Sequence, residues 1–252
     1  VQLTPAQKQQ VAQDFERRMR SCVEWSPAMT WTPELNLIGR TFRPLNVFPE
    51  LAASDAPVDR LNPAQRADSP NREFRYCIRL HRAGQQLMSW FGDRTGTVIF
   101  DSDVHFPAIF QCRPGEPGVW NEAPWMSLTP PEILTLREGT RLAKGRVVIA
   151  GLGLGHQLIE VSKRFQVKEV VLVEQSQELV DFYLPRVRSL VKKKLTVIVG
   201  DAYEVVPTLA ADVALIDIFP GYGHNEAATR ELARRSPKIK KMWGWGTAAV
   251  RP

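Results

Sequence analysis

From Lys144 onward the chain alternates short, continuously apolar runs with segments of helical period, and no other feature restricts its fold so much. The apolar runs fall at residues 147–150, 169–173, 195–199 and 213–216. Between and after them, residues 156–165, 177–184, 203–209 and 225–235 read as helices, with Leu158, Val161 and Phe165 marking one apolar side of the first. A strand with no polar face must be covered on both sides, so the pattern predicts an α/β, Rossmann-like parallel sheet with helices on each face. Residues 242–250 are expected to form a last strand. Only 35 residues follow Asp217, room for a helix and one strand, so a sheet shortened at the C-terminus is expected. Its exposed edge would be covered by the N-terminal region or by a second copy of the chain.

The preceding half is organised differently. Thr4, Pro5 and Gln7 form a helix start, and Val11, Phe15, Met19 and Cys22 then mark one stripe of a helix of about five turns. Residues 26–71 show no period; an irregular wrap is expected, with disorder between 52 and 71. Phe74, Tyr76, Ile78 and Leu80 alternate with Arg75, Cys77, Arg79 and His81, as in a half-buried strand. With residues 86–91 and 97–100 this predicts an antiparallel β-meander. Residues 107–131 read as loop and 131–142 as a short helix. The boundary between the N-terminal region and the parallel-sheet domain is placed between residues 140 and 141.

Composition removes several classes of function. No apolar run is long enough to span a bilayer, so no membrane partner is expected. Cys22, Cys77 and Cys112 are far apart and odd in number, which argues against a disulfide framework or a zinc site and for a cytoplasmic protein. His81 and His105 have no metal-ligand spacing. The net charge of +6 is concentrated after residue 140, in Lys192, Lys193 and Lys194 and between Arg230 and Lys241. Such a face can attract nucleic acid, but the lysine run has no interleaved aromatic residues, and a solvated surface is the preferred reading.

Four features at the ends of the expected strands carry the chemistry. Gly151-Leu152-Gly153-Leu154-Gly155 follows the first strand and opens a helix, a place where glycine permits close backbone approach and free N–H groups face a ligand. The spacing is G-x-G-x-G, with His156 where a dinucleotide loop has its last glycine. His156 itself could touch a ligand, although capping the helix is the preferred role. Glu174 ends the second strand, where a carboxylate can accept two ribose hydroxyls. Gly200-Asp201-Ala202 ends the third, where Asp201 can accept from an adenine amino group. Asp217 ends the fourth and is followed by Ile218-Phe219-Pro220-Gly221-Tyr222-Gly223-His224.

In this order the four resemble the class I S-adenosylmethionine (SAM)-dependent methyltransferases over roughly residues 145–222. An apolar residue two before the first glycine, here Ile149, is similar to the spermidine-synthase-like branch, which also carries a β-meander ahead of the nucleotide fold. The resemblance implies SAM, or its product S-adenosylhomocysteine, as ligand. Gly151, Gly153 and Gly155 would flank the methionine part, Glu174 the ribose, and Asp201 with Ala202 the adenine. Asp217 would be the catalytic residue near the sulfonium or the acceptor. Phe219 and Tyr222 could stack on a planar acceptor or pack the loop, and His224 could act as a base. Two departures stand out: Leu154 stands where polyamine-forming aminopropyltransferases carry Asp, and Asp217-Ile218-Phe219-Pro220 lacks the second acid of their D-x-x-D-P arrangement. A methyltransferase of unknown acceptor is therefore the expected function. A non-catalytic SAM- or nucleotide-binding module is the alternative, and an aminopropyltransferase-like enzyme is less favoured.

Overall fold

The computed structural model describes residues 45–83, 86–91, 94–99, 103–219 and 225–250. The helix expected from Thr4, and Tyr222 and His224, lie outside them.

The proline- and asparagine-rich segment expected to be disordered is ordered, because its backbone finds partners on a neighbouring strand. After a 3-10 turn at Val58–Arg60 come β1 (Arg66–Asp68) and β2 (Phe74–His81), paired antiparallel. Ser54 N–H donates to Ile78 O and Leu80 N–H to Ser54 O, at 2.9 and 3.0 Å, while Val58 and Leu61 are buried. This cover also changes β2, which was expected to bury one face only: Arg75 is 1 % exposed and Cys77 is fully buried. The Arg75 guanidinium sits 4.3 Å over the Trp120 ring, donates to both Asp68 oxygens at 2.6 and 2.8 Å, and donates to Val58 O at 2.8 Å. A charge so enclosed is tolerated only because each of these partners is present.

The expected meander is split between two compact units, one of residues 1–42 and 81–104 and one of residues 43–80 and 105–252. The described strands of the first are the antiparallel pair β3 (Gln86–Phe91) and β4 (Arg94–Ile99), with Gln86 opposite Ile99 and Phe91 opposite Arg94. In the second unit β2 pairs instead with β1 and with β5 (Val104–Arg113), followed by β6 (Glu116–Trp120) and β7 (Met126–Ser127) in the same sheet. These last three strands lie largely in the stretch expected to be loop. Prolines mask them: Pro107 sits within β5, where its carbonyl still accepts from Leu128 N–H at 3.1 Å.

α1 (Pro130–Leu142) starts at a capping box in which Thr129 and Glu132 satisfy each other's backbone N–H groups. The alternation then runs as expected: β8 (Gly145–Ala150), α2 (His156–Lys163), β9 (Val167–Glu174), α3 (Gln177–Arg188), β10 (Lys194–Val199), α4 (Ala202–Val205), β11 (Val213–Ile216), α5 (Glu226–Arg235) and β12 (Met242–Gly244). The strands form one parallel sheet in the order β10-β9-β8-β11-β12, a Rossmann-like arrangement. Val147, Val148, Val213, Leu215 and Ile216 are wholly buried, as both-sided cover requires.

Three boundaries differ from expectation. α2 ends early, where Arg164 donates to Ala143 O and Arg141 O, so Phe165 leaves the apolar side and is 97 % exposed. α3 continues through Pro185 because Tyr183, Leu184 and Val187 are buried. The last strand stops at Gly244, after which the chain turns back and Met242 and Val250 exchange hydrogen bonds of 2.9 and 2.7 Å. Within the second unit, Glu178 at the start of α3 accepts from Ser69 Oγ and from Asn71 N–H, the latter at 2.8 Å. The Tyr76 and Tyr183 rings lie 5.9 Å apart. Among the described residues no helix is long and apolar enough to cross a membrane.

Asp68→Ala leaves the Arg75 charge buried without its carboxylate and is expected to cost about 3–5 kcal/mol in urea denaturation. A loss below about 1 kcal/mol, the scale of an exposed pair, would contradict this account of β2.

Candidate functional site

In a sheet of this order the crevice opens where successive connections leave in opposite directions, here between the ends of β8 and β11. Gly151 and Asp217 stand at that point. Asp217 N–H donates to Ala150 O at 2.9 Å, and a Cβ on Gly151 (φ 98°) would overlap the Asp217 carbonyl oxygen. Glycine is thus required there by the neighbouring strand. Gly153 (φ 49°) and Gly155 (φ 69°) complete the loop, and Gly155, not His156, is the N-cap of α2. Leu152 and Leu154 point into the core, at 4 and 1 % exposure.

Glu174 is fixed by backbone donors. Its two carboxylate oxygens accept from Leu152 N–H at 2.8 Å and Ser176 N–H at 2.9 Å, and the residue is 6 % exposed. It borders a cavity of about 230 Å³ together with Gly151, Gly153, Gly200, Asp201 and Ala202. Asp201 caps α4, accepting from Tyr203 N–H at 2.8 Å, while Ala202 is buried. Gly151, Gly153, Glu174, Gly200, Asp201 and Ala202 are therefore brought together around one space that Asp217 also lines, whereas Gly155 borders the larger cavity described next.

A second cavity of about 610 Å³ lies alongside. Trp125, Met126, Gly151, Asp217 and Ile218 line both, and Phe219, His156 and Gly155 line the larger one. Met126 lies across the glycine loop. Its Sδ accepts from Leu154 N–H at 3.0 Å, and a side chain on Gly153 would strike this thioether first.

The larger cavity also brings in residues that sequence reasoning missed: Trp125, Met126, Glu132, Gln157 and Trp245. The T-x-x-E pattern of Thr129 and Glu132 signals a capping box, but nothing in it shows that the glutamate faces Asp217. The Glu132 carboxylate accepts from the N–H and hydroxyl of both Ser127 and Thr129. Burial raises its pKa against the lowering effect of those donors. Asp217 has no comparable set of donors among the described residues. Burial first, and the charge of Glu132 second, push its carboxyl up to about 7. A carboxyl poised there can take or hold a proton near neutral pH. Burial lowers the pKa of His156, so its ring is neutral at that pH.

No protein-family model and no curated protein matches the chain. Among solved structures it is similar to the 23S rRNA methyltransferase ErmE, at 19 % identity over 46 % of this chain and 45 % of that one, with a TM-score of 0.35. A SAM-dependent methyltransferase from Thiobacillus denitrificans, solved with S-adenosyl-L-homocysteine, is 27 % identical over 45 % of this chain and 48 % of that one, with a TM-score of 0.34. TrmK of M. capricolum, also holding S-adenosyl-homocysteine, is 17 % identical over 42 and 48 % of the two chains, with a TM-score of 0.35. The chain spans less than half the length of each. Strand order, and not these partial overlaps, defines the fold as Rossmann-like.

The raised Asp217 pKa carries a sign for stability. Its ordinary value is 3.8, so between about pH 4 and pH 7 the folded chain holds a proton that the unfolded chain has lost. Stability contributed by that proton is lost as pH rises through 7. Asp217→Asn is therefore expected to be nearly neutral below pH 4 and stabilising by roughly 2–4 kcal/mol at pH 8. Urea denaturation at both pH values checks this, and a variant no more stable than wild type at pH 8 contradicts it.

Proposed function

We propose that the protein binds SAM across the end of its parallel sheet and is a methyltransferase. The observation that carries this reading is Glu174, a buried carboxylate clamped by two backbone N–H groups at the lip of a cavity walled by Gly151, Gly153, Asp201 and Ala202. Each clamped oxygen keeps a lone pair for a ribose hydroxyl, and the clamping fixes the carboxylate before a ligand arrives. Asp201, exposed at the start of α4, has a second oxygen for an adenine amino group.

Whole-ligand pockets usually exceed about 300 Å³, so the 230 Å³ cavity accommodates the nucleoside end and the remainder extends past Met126 into the larger cavity. SAM supplies a methyl group on a positively charged sulfur. The chain's own part is positioning and exclusion of water, with Asp217 placed to hold a proton beside the larger cavity. Tyr222 and His224 keep their proposed roles beside an acceptor, and Phe219 lines that cavity. Ile149, buried at 1 %, and the antiparallel strands ahead of the parallel sheet support the spermidine-synthase-like branch.

Aminopropyl transfer gains one observation, because Glu132 restores near Asp217 a carboxylate that the loop after β11 lacks. Methyl transfer is retained because Leu154, where that chemistry places an acid, is packed in the core.

Calorimetric titration with S-adenosylhomocysteine tests the proposal. Binding tighter than that of NAD is expected, and Glu174→Ala should weaken it by about 1.5–3 kcal/mol, the scale of hydrogen bonds to a charged group. No heat at millimolar ligand, or preference for NAD, overturns it. Met126→Ala frees Leu154 N–H and the space above Gly153, so it should tighten binding by about 1 kcal/mol. Weaker binding would make Met126 part of the ligand's wall and not an obstacle to it.

A further inference from the structure

The larger cavity has an uneven chemistry. Glu132, Asp217 and Gln157 bring side-chain oxygens to its lining, with Glu132 near enough to Asp217 to act on its charge, and Trp125, Trp245 and Phe219 line the same cavity. Gln157 is 6 % exposed, and its Nε2 makes one long hydrogen bond to Leu136 O at 3.5 Å. Its Oε1 is buried and has no hydrogen-bond partner among the described residues. A buried acceptor left unpaired is costly, so its retention calls for a donor from outside the chain.

We propose that this cavity binds an organic amine, its ammonium group set among Asp217, Glu132 and Gln157 Oε1 and its apolar body against the tryptophans. This deepens the methyltransferase reading by naming the acceptor class, and it rests on that reading only in calling the cavity the acceptor side. An ammonium offers three donors and no acceptor, the complement of three oxygens. It also sets a positive charge beside two carboxyls whose repulsion adds to burial in raising Asp217 to about 7. Glu132 stays in place because Ser127 and Thr129 hold it. The aromatic wall suits the flat body of an arylalkylamine and can face its cation. An acceptor carrying a carboxylate or phosphate at the same end is repelled. Among the described residues, Glu122, exposed, and His156, neutral at pH 8, are the other titratable groups lining the cavity.

The probes are phenethylamine, its neutral analogue 2-phenylethanol, its acidic analogue 3-phenylpropionate, and putrescine, whose second ammonium would meet the apolar wall. Titration at pH 8 of protein saturated with S-adenosylhomocysteine, and separately of free protein, is followed by heat and by tryptophan fluorescence. Phenethylamine should bind at least tenfold more tightly than the other three. Glu132→Gln, which keeps the capping box, and Asp217→Asn should each weaken it tenfold or more, and Gln157→Met several-fold. Equal or tighter binding of 3-phenylpropionate or putrescine overturns the proposal, as does binding unaffected by all three substitutions. Loss of phenethylamine binding on saturation with S-adenosylhomocysteine also overturns it, since the carboxyls then belong to the donor's own ammonium. If S-adenosylhomocysteine binds and phenethylamine does not, only this inference fails. If phenethylamine binds and S-adenosylhomocysteine does not, the donor reading fails and the amine site stands.

Discussion

The site depends on a contact that only glycine permits: the Gly151 backbone against the Asp217 carbonyl, where β8 and β11 end side by side. Any side chain on Gly151 would separate the two strand ends. With them would go the N–H of Asp217 bonded to Ala150 O, and the alignment that puts Leu152 N–H on Glu174. The glycine loop therefore serves the sheet first. Its availability to a ligand follows from what the sheet leaves open, since Leu152 and Leu154 are buried and the loop still borders both cavities.

Charge at the site is arranged in two ways. Glu174 is buried but satisfied, its carboxylate stabilised by two amides as at a helix N-terminus. Asp217 is enclosed with another acid as neighbour, so its proton is held to near neutrality. One carboxylate has both oxygens fixed by amides and the other can exchange a proton near neutral pH, and environment alone separates them. Met126 stands between the two regions and ties up the Leu154 N–H that faces them.

The parallel half was legible in the sequence because both-sided burial writes itself as continuous apolar strands, and the carboxylates at their ends follow from topology. Boundaries were less so. Phe165 has the right spacing for the α2 stripe, but Arg164 finds two carbonyls and ends the helix before it. In β2 the alternation of Arg75 and Cys77 with apolar neighbours suggested a wet face. A distant, irregular segment covers it, and no local pattern reports that cover. The second acid of the site was hidden for the same reason. Glu132 looks like an ordinary capping residue, and its meeting with Asp217, 85 positions on, exists only in three dimensions. The placement of Gly151, Glu174, Asp201 and Ala202 around one cavity agrees with where the sequence put them; their part in binding is a matter for ligand experiments.

The most direct measurement is a crystal structure of the protein with S-adenosylhomocysteine. The account predicts the ribose hydroxyls on the free lone pairs of Glu174, the adenine beside Asp201 and Ala202, and the Met126 thioether moved off Leu154 N–H. A nucleoside bound elsewhere, or one that leaves Glu174 untouched while Met126 keeps its place on the glycine loop, would contradict it.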